Sequence, residues 1–464
     1  MLSKIIETLY YGSPVFLQNF AISLYGAKVN HQRHAGLYSK YYEESVDRLN
    51  FNSTALEKYS NNQLKSLLNL AASSVPYYQK LFKENQIKVS DINSVADLSR
   101  IPPLEKAVLR TIPEELVSTD YNIRDLICLS TTGSTGTPLK IYCNSNVRRR
   151  NYAFYDRFLN TCGVESSDLK ATFGGRVIMP SKASKPPFWR FSSVQKNMLF
   201  SSYHLSDENM SYFIKKLKAL RPDYIDSYPS SIYAIANFSH KNNKNLTGIT
   251  KAITTSGETL HLDQKQLIED EFGVPVFDQY GCAEMCVFIA QCNEGRYHIH
   301  SDFGVVELLD DNGQLAKPGE EAEIVCTGFI NDVMPLIRYR IGDRALVSES
   351  VSCKCGSHFP LIKALLGRND DVIVTPEGNR VGRLSPVLKG FPVKEAQYIQ
   401  SHVESVKVLL VVSEGYNESS EASLLVELRK RLGEKIEINF EYVKKIERGK
   451  GAKFKSIISK LNRY

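Results

Sequence analysis

The sequence has few of the features that mark specialised protein classes. Its 464 residues contain nine cysteines, and a long chain with an odd cysteine count is not expected to be a secreted disulfide framework. Apolar residues make up 42% and charged residues 23%. Both values are close to globular averages, so extensive disorder and collagen-like structure are excluded. The length allows about three domains, or one large domain and one small one.

The chain also lacks a convincing membrane-spanning segment. Thr8–Ala27 is the candidate because it carries no charge, but Pro14, Gln18 and Asn19 interrupt it. A spanning helix needs about 20 predominantly apolar residues. We therefore expect an N-terminal helix packed on the body, with no membrane anchor or signal peptide, and a cytoplasmic protein.

Basic charge is concentrated at the end of the chain. The segment Arg429–Tyr464 has 12 Lys and Arg residues against 4 Asp and Glu, whereas the remainder has 46 against 47. A nucleic-acid binder would be expected to carry a basic stripe across its fold. The pattern instead predicts a nearly neutral body with a small cationic unit and an anionic partner that is not a nucleic acid.

The predicted elements indicate an α/β protein with a large N-terminal domain. Residues 1–125 are predicted to be its mostly helical part. In residues 126–366, strand patterns such as Lys251–Thr255 and Val274–Asp278 flank helical patterns such as Leu262–Phe272. This alternation predicts mainly parallel sheets with helices on their faces.

The last hundred residues predict a separate α+β unit, which we place at 367–464. It contains a predicted hairpin around Pro376-Glu377-Gly378-Asn379 and a predicted helix over Ser419–Leu432. Strands are predicted at Lys394–Gln400, Val406–Val412 and Ile436–Val443. Its length is that of a small domain.

A stretch rich in hydroxyl residues follows the first predicted strand. Between Leu129 and Lys140 lie six Ser or Thr residues and two glycines. Glycine lets the backbone approach an anion, and successive N–H groups and hydroxyls can surround phosphate oxygens. The stretch is not the usual P-loop, because Gly136 is followed by Thr137 and Pro138. It predicts a phosphate-binding loop, with a Ser/Thr-rich surface loop as the alternative.

Five further motifs follow in order and, with this loop, resemble one superfamily. They are Thr255-Ser256-Gly257-Glu258, Asp278-Gln279-Tyr280-Gly281-Cys282-Ala283-Glu284, Pro335-Leu336-Ile337-Arg338-Tyr339-Arg340-Ile341-Gly342-Asp343, Gly367-Arg368-Asn369-Asp370-Asp371 and Gly451-Ala452-Lys453-Phe454-Lys455. The set resembles the adenylate-forming enzymes, which include acyl-CoA synthetases, luciferases and adenylation domains. Nearly the whole chain is most similar to the phenylacetate–CoA ligase-like branch and, within it, to the CapK-like subgroup associated with capsular polysaccharide biosynthesis.

The resemblance implies an ATP site. Asp343 would accept hydrogen bonds from the ribose hydroxyls, Arg368 would contact the nucleotide, and Tyr280 would stack on adenine. The phosphate contacts would come from Thr131, Thr132, Gly133, Ser134, Thr135, Gly136 and Thr137. The remaining adenine-side contacts would come from Ser256, Gly257, Glu258, Asp278 and Gln279.

The resemblance also implies how the first half-reaction proceeds. A carboxylate would attack the α-phosphate of ATP, so charge neutralisation and positioning would dominate catalysis. Glu284 would hold Mg²⁺, although Ala283 stands where the family usually has a hydroxyl residue. Lys453 would bridge the carboxylate and the α-phosphate, with Ala452 replacing the expected glycine. The small domain would then rotate as a lid about Asp370.

A group of cysteine and histidine residues predicts a structural zinc site. Cys353 and Cys355 form a close pair, and Cys292 and His298 lie upstream. Together they could supply a Cys₃His tetrahedral set in which every position is a protein ligand. His300 is the alternative fourth ligand. The alternative to a metal site is that the four residues are unconnected.

These observations favour an ATP-dependent, carboxylate-activating ligase. The acceptor would be a separate small molecule, either an amino sugar or sugar nucleotide in surface polysaccharide (capsule or O-antigen) biosynthesis, or coenzyme A. A non-catalytic nucleotide-binding or assembly protein is the alternative of another class. The sequence leaves the carboxylic acid open, and it leaves open whether the protein is a monomer or a homodimer.

Overall fold

The computed structural model describes residues 9–131, 139–180, 183–367, 373–381, 384–388, 390–444, 446 and 457–461. The α-helices are α1 (Val15–His34), α2 (Tyr38–Asp47), α3 (Ser53–Ser74), α4 (Pro76–Glu84), α5 (Lys106–Thr111), α6 (Ser145–Thr161), α7 (Asp207–Leu220), α8 (Pro229–Lys241), α9 (Leu262–Phe272) and α10 (Glu418–Leu432). Short 3₁₀ helices span Arg48–Asn50, Val89–Asp91, Val95–Arg100, Pro113–Leu116, Ile123–Asp125, Ser202–His204 and Ser385–Leu388.

The strands begin after the helical N-terminal region, at Ile127. They are β1 (Ile127–Thr131), β2 (Leu139–Cys143), β3 (Lys170–Phe173), β4 (Trp189–Ser192), β5 (Asn197–Phe200), β6 (Tyr224–Ser227), β7 (Ala252–Ser256), β8 (Val276–Gly281), β9 (Phe288–Gln291), β10 (Tyr297–Ile299), β11 (Gly304–Leu309), β12 (Glu321–Gly328), β13 (Tyr339–Val347), β14 (Leu361–Gly367), β15 (Ile373–Val374), β16 (Arg380–Val381), β17 (Val393–His402), β18 (Ser405–Val412), β19 (Glu437–Tyr442) and β20 (Ile457–Ser459).

One sheet of 12 strands organises the large domain, in the order β11-β12-β13-β14-β10-β9-β8-β7-β6-β3-β5-β4. The α/β class predicted from the sequence is confirmed. The parallel pairing is confined to neighbouring strands β5, β3, β6, β7 and β8. The other pairs in this sheet are antiparallel. The prediction of mainly parallel sheets therefore needs correction for the half of the sheet after β8. There the connections between consecutive strands, all of them described, contain no helix that could make the long crossover that parallel pairing usually uses.

Apolar side chains from both faces of this sheet form two cores. On one face α3, α4 and α6 contribute Leu64, Tyr78, Phe154 and other residues to a large buried cluster. On the opposite face α7, α8 and α9 contribute Phe213, Ile235, Ile268 and others. Covering helices on both faces let the central strands be apolar on both sides, as buried parallel strands are.

The C-terminal residues form their own four-stranded sheet, in the order β19-β18-β17-β20. Leu424, Leu428 and Leu432 of α10 are buried against it at helical spacing. The predicted α+β character of this unit is confirmed. It contacts the large domain, since Lys241 Nζ donates to the Glu377 carbonyl over 2.9 Å and the Arg431 guanidinium lies 4.8 Å from the ring centre of Tyr203.

Candidate nucleotide site and metal centre

Two of the predicted adenine-binding segments lie side by side where parallel strands end. Ser256, the last residue of β7, is opposite Gln279 near the end of β8. Gly257 and Glu258 follow β7 directly, and Tyr280 follows Gln279. Ligands in open α/β sheets bind outside the carboxyl ends of the strands. The topology therefore brings these predicted residues to the edge of the sheet where a ligand is expected.

Tyr280 and Asp343, predicted to bind the base and the ribose, are in direct contact. The Tyr280 hydroxyl donates to Asp343 Oδ2 over 2.6 Å. Burial, reinforced by the negative charge of Asp343, raises the pKa of Tyr280 well above its ordinary value. The phenol therefore keeps its proton and remains a donor to the carboxylate.

Glu284, the predicted magnesium ligand, is also held by a tyrosine. The Tyr339 hydroxyl donates to Glu284 Oε1 over 3.0 Å, and Glu284 is 4% exposed. The Lys106 ammonium lies 4.0 Å from the same oxygen and donates to the Ile341 carbonyl over 3.1 Å. A carboxylate oxygen in this position has the chemistry that Mg²⁺ prefers, so the residue present fits the ion.

A single strand brings these two carboxylates into one site. Tyr339, Ile341 and Asp343 alternate with less buried residues along β13, so they share its inward face. Tyr339 contacts Glu284, and Asp343 contacts Tyr280. In the Tyr-Arg-x-Gly-Asp motif, alternate residues of the strand face the same side, so the phenol of Tyr339 and the carboxylate of Asp343 both point into the site.

Lys106 was not identified from the sequence. It follows Leu104 and Glu105, at the start of the six-residue helix α5. Its neighbourhood is created by an isolated bridge between Leu104 and Tyr339, which joins segments more than two hundred positions apart. A single lysine after a proline-containing turn carries no recognisable pattern, so the sequence alone offered no signal.

The predicted nucleotide ligands Asp278 and Glu258 already have protein partners. Asp278 is 3% exposed and accepts hydrogen bonds from Thr255 over 2.6 Å and from Tyr297 over 2.7 Å. Burial raises the pKa of its carboxyl group to about 6. Glu258 Oε2 accepts from the backbone N–H of Ser230 in the first turn of α8. These contacts connect β7, β8, β10 and α8, and the predicted nucleotide roles of both residues stay predictions.

Nine predicted residues lie outside the described residues. They are Thr132, Gly133, Ser134, Thr135, Gly136, Thr137, Arg368, Asp370 and Lys453. The flanks of the predicted phosphate loop are described, and Thr131 pairs with Leu139 across the antiparallel strands β1 and β2. β1 and β2 therefore form an antiparallel pair on either side of the predicted loop.

The four predicted zinc ligands converge. The nearest ligand atoms of Cys292, His298, Cys353 and Cys355 all lie within 4.8 Å of one another. The Sγ atoms of Cys292 and Cys353 are 3.7 Å apart, and Cys355 Sγ is 3.4 Å from His298 Nε2. Tetrahedral zinc with bonds of ~2.3 Å to sulfur places two sulfurs about 3.8 Å apart. The set therefore fits zinc and is far from disulfide geometry.

The hydrogen bonds of the two histidines decide between them as ligands. His298 Nδ1 lies 3.0 Å from the Phe359 carbonyl, so it carries the proton and leaves Nε2 facing the thiols. His300 Nδ1 instead lies 2.7 Å from the Arg157 guanidinium. Arg157 also donates to Asp302 in a buried cluster, so His300 Nδ1 is engaged by the same guanidinium. His298 is the geometrically suitable fourth ligand.

The fold is that of the adenylate-forming ligases, as comparisons with known proteins show. In the solved structures, a 2-hydroxyisobutyryl-CoA ligase in complex with 2-HIB-AMP and CoA has a TM-score of 0.64 at 18% identity, covering 89% of this chain and 91% of that chain. The phenylacetate-coenzyme A ligase of Thermus thermophilus is 21% identical over 69% of this chain and 72% of its own length.

Residues 373–460 match the family described as the CapK C-terminal domain. Protein CapK of Staphylococcus aureus is 30% identical over 461 residues, which cover 98% of this chain and 100% of that protein. The chain belongs to the CapK family.

Proposed function

We propose that the protein activates a carboxylic acid with ATP and then transfers the acyl group to an acceptor. The observation that supports this best is the inward face of β13, where Tyr339 contacts Glu284 and Asp343 contacts Tyr280. A ribose-binding carboxylate and a metal-binding carboxylate held along one strand suit a nucleotide that carries its phosphates with a cation.

Adenylation brings two anions together, so the site must supply positive charge. Lys106, 4.0 Å from Glu284, is a cation of the described site, and we propose that it helps to position the phosphates. Mg²⁺ at Glu284 would neutralise charge on the phosphate oxygens. Lys453 would supply a further cation from the small domain, and the hydroxyl-rich segment 131–137 would hold the phosphates.

We propose that residues 367–464 act as a lid that pivots at Asp370. The described contacts between this unit and the large domain include polar ones, such as Lys241 with the Glu377 carbonyl and Asn237 with Asn379. Small polar interfaces within one chain are compatible with relative domain motion. The boundaries 1–125, 126–366 and 367–464 remain our division of the chain.

The carboxylic acid is proposed to be polar. Asp226 of β6 and Lys170 of β3 lie on the same face of the parallel strands, because Asp226 is opposite Thr172, two positions after Lys170. Burial raises the pKa of Asp226, whereas the charges of Lys170 and Arg176 lower it. We propose that these ionisable groups face the bound acid, where they would suit hydroxyl, amino or second carboxyl groups on it.

The acceptor is proposed to be an amino sugar or a sugar nucleotide of a surface polysaccharide. The name of the Staphylococcus aureus relative and its full-length similarity favour this acceptor. Coenzyme A is the second candidate, since phenylacetate-coenzyme A ligases match most of the chain. Both reactions use cytoplasmic ATP, so we propose that the protein acts on the cytoplasmic side of the cell.

The first experiment is carboxylate-dependent exchange of radioactive pyrophosphate into ATP, with panels of hydroxylated, aminated, dicarboxylic and aryl acids. We expect exchange with at least one polar acid and little with phenylacetate. Supplying CoA or UDP-linked amino sugars then distinguishes the acceptors by the acyl product. Bound ATP with no exchange across the whole panel would favour the non-catalytic alternative.

A variant tests the lysine assignment separately. Lys453→Ala should retain ATP binding, measured by calorimetry, and lose exchange by roughly 100-fold or more, the loss expected for a group that stabilises the transition state. Lys455→Ala is the matched control, because it removes a neighbouring lysine from the same segment. Equal exchange in Lys453→Ala and the wild-type protein would contradict the assignment.

A further inference from the structure

The solvent-facing side of α1 is apolar. Its exposed large side chains, with their exposed fractions, are Phe16 (68%), Leu17 (44%), Phe20 (61%), Leu24 (58%) and Tyr25 (65%). Phe16, Phe20 and Leu24 are four residues apart, so they lie above one another along the helix. Scattered exposed apolar residues are ordinary, but a continuous exposed stripe marks an interaction surface.

The side of α1 that packs on the body is mostly polar or small, and Ile22 is its apolar contact with the core. Asn19 Oδ1 accepts from the backbone N–H of Phe191 over 2.9 Å, and Ser23 Oγ accepts from that of Ser193 over 3.0 Å. Gln18 is buried and accepts from Arg190. This is the reverse of an ordinary surface helix, which turns its apolar stripe toward the core.

The orientation of the helix is fixed by close packing as well as by these bonds. A Cβ atom added at Gly26 would lie 2.7 Å from the Ser192 hydroxyl. Rotating the helix to bury Phe20 would break the bonds of Asn19 and Ser23 and force Gly26 away from β4. The apolar stripe therefore faces outward because specific polar contacts hold it there.

The charges on α1 itself have one sign. From Val15 to His34 the helix contains Lys28 and Arg33 but no Asp or Glu. Lys28 is exposed on α1. The turn after β4, which packs on Gly26, adds the exposed side chains of Val194 and Lys196. An apolar stripe with a basic margin complements a surface that is apolar inside and anionic at its boundary.

We propose that α1 binds the surface of an anionic lipid bilayer and lies in its plane. A 20-residue helix is roughly 30 Å long, enough to place Phe16, Phe20 and Leu24 among the acyl chains along one line. Amphipathic helices bind membranes in this way, and nearby lysines add attraction to anionic headgroups. No helix among the described residues is long and apolar enough to cross a membrane.

The test is flotation of the full-length protein with vesicles of phosphatidylcholine alone or mixed with phosphatidylglycerol. We expect binding to the anionic vesicles, with partitioning at least tenfold weaker for Phe16→Ser/Phe20→Ser/Leu24→Ser. The substituted side chains point to solvent, so the melting temperature and pyrophosphate exchange should be retained. Lys28→Ser/Lys196→Ser should weaken binding severalfold and reduce its dependence on anionic lipid.

A control variant separates the position of the stripe from general surface hydrophobicity. Leu262→Ser/Leu315→Ser/Val351→Ser removes three apolar side chains that are 86%, 74% and 99% exposed elsewhere on the molecule. Its partitioning should equal that of the wild-type protein. Equal partitioning of the α1 triple variant would overturn the proposal. So would light scattering that shows a dimer dissociated by that variant without vesicle binding, because a second copy would then cover the stripe.

Discussion

The Cys/His cluster, which we propose to be a metal centre, and the carboxylate site are built on the same sheet, but their functional atoms have different neighbours. In the metal centre, the sulfur and nitrogen atoms of Cys292, Cys353, Cys355 and His298 face one another. In the carboxylate site, Glu284 and Asp343 each face a tyrosine hydroxyl. Three thiols and an imidazole have little reason to converge without an ion, whereas a carboxylate with a phenol is satisfied without a ligand.

This difference predicts that the two sites have different roles, one in stability and one in catalysis. The metal centre should contribute mainly to stability, because its four protein ligands leave no position for a substrate. The carboxylate site should contribute mainly to chemistry, because its hydrogen bonds to tyrosine can be exchanged for bonds to a nucleotide. Each expected outcome below can break or sharpen this contrast.

The largest effect is expected from removal of the metal. Cys353→Ser/Cys355→Ser should lose one equivalent of zinc, measured by mass spectrometry of the metal content. Structural zinc contributes many kcal/mol in small domains, and even a few kcal/mol here would lower the melting temperature by roughly 10 °C at ~2–4 °C per kcal/mol. Cys128→Ser is the control, because Cys128 is an exposed thiol.

The outcome that would break the contrast is a metal-free variant with an unchanged melting temperature and lost adenylation. Zinc would then take part in the chemistry. If the variant melts earlier but its folded fraction keeps the exchange rate, the structural role is supported.

The next effect concerns Glu284. Glu284→Gln should lower the rate of pyrophosphate exchange by about 100- to 1,000-fold, or roughly 3–4 kcal/mol of transition-state stabilisation. Its melting temperature should change much less than that of the double cysteine variant. Tyr339→Phe removes the hydroxyl that contacts Glu284 but keeps the carboxylate, so its exchange rate should fall by less than tenfold. A larger loss in Tyr339→Phe than in Glu284→Gln would be inconsistent with metal binding by this carboxylate.

The sequence predicts features that depend on local patterns better than features that depend on distant residues. The helix Leu262–Phe272 has the bounds that its pattern predicts, because an apolar period and a terminal glycine are both local signals. The metal set was predicted from soft ligands in a close pair, but the choice of His298 over His300 depends on Phe359 and Arg157. Those partners are distant in the chain, so the sequence carries no sign of them.

The same limit applies to the carboxylate site and to α1. The motifs identified Glu284, Asp343 and Tyr280, but only the tertiary structure brings Lys106 to Glu284 through the bridge between Leu104 and Tyr339. The uncharged segment Thr8–Ala27 correctly predicted a helix packed on the body. Its inverted orientation depends on Asn19 and Ser23 bonding to β4 and the turn after it, and these contacts leave no trace in a periodic pattern.

A further prediction concerns Asp278, whose carboxylate accepts hydrogen bonds from Thr255 of β7 and from Tyr297 of β10. Its folded-state pKa of about 6 is above the ordinary 3.8, so the folded protein keeps a proton that the unfolded chain releases. This contribution to stability is therefore fully present below about pH 4 and is lost as the pH rises through 6. The shift corresponds to a loss on the order of 3 kcal/mol.

Urea unfolding of the wild-type protein and Asp278→Asn between pH 4 and 7 measures this loss. Asparagine does not titrate, so the difference between the two free energies of unfolding should change over that range and then level off above pH 7. Parallel curves would show that Asp278 has the same pKa in the folded and unfolded states. In either case the thiols and His298 are present in both proteins, so their titration cancels.

The smallest effect should come from separating Asp343 from Tyr280. Asp343→Asn removes a charged acceptor and should lower kcat/KM for ATP by about 10- to 100-fold, the value of one charge-assisted hydrogen bond. Tyr280→Phe keeps the ring that would stack on adenine and removes only the hydroxyl that contacts Asp343. If that hydroxyl occupies the carboxylate until ATP arrives, Tyr280→Phe should leave KM for ATP within about threefold of the wild-type value. The double variant should then match Asp343→Asn, since Asp343 is the partner of the Tyr280 hydroxyl among the described residues. If Tyr280→Phe lowered kcat/KM for ATP as much as Asp343→Asn, the hydrogen bond between the two residues would be needed in the nucleotide-bound state. The carboxylate site would then depend on contacts between its own residues, as the metal centre does, and the two sites would differ only in the ligand they bind.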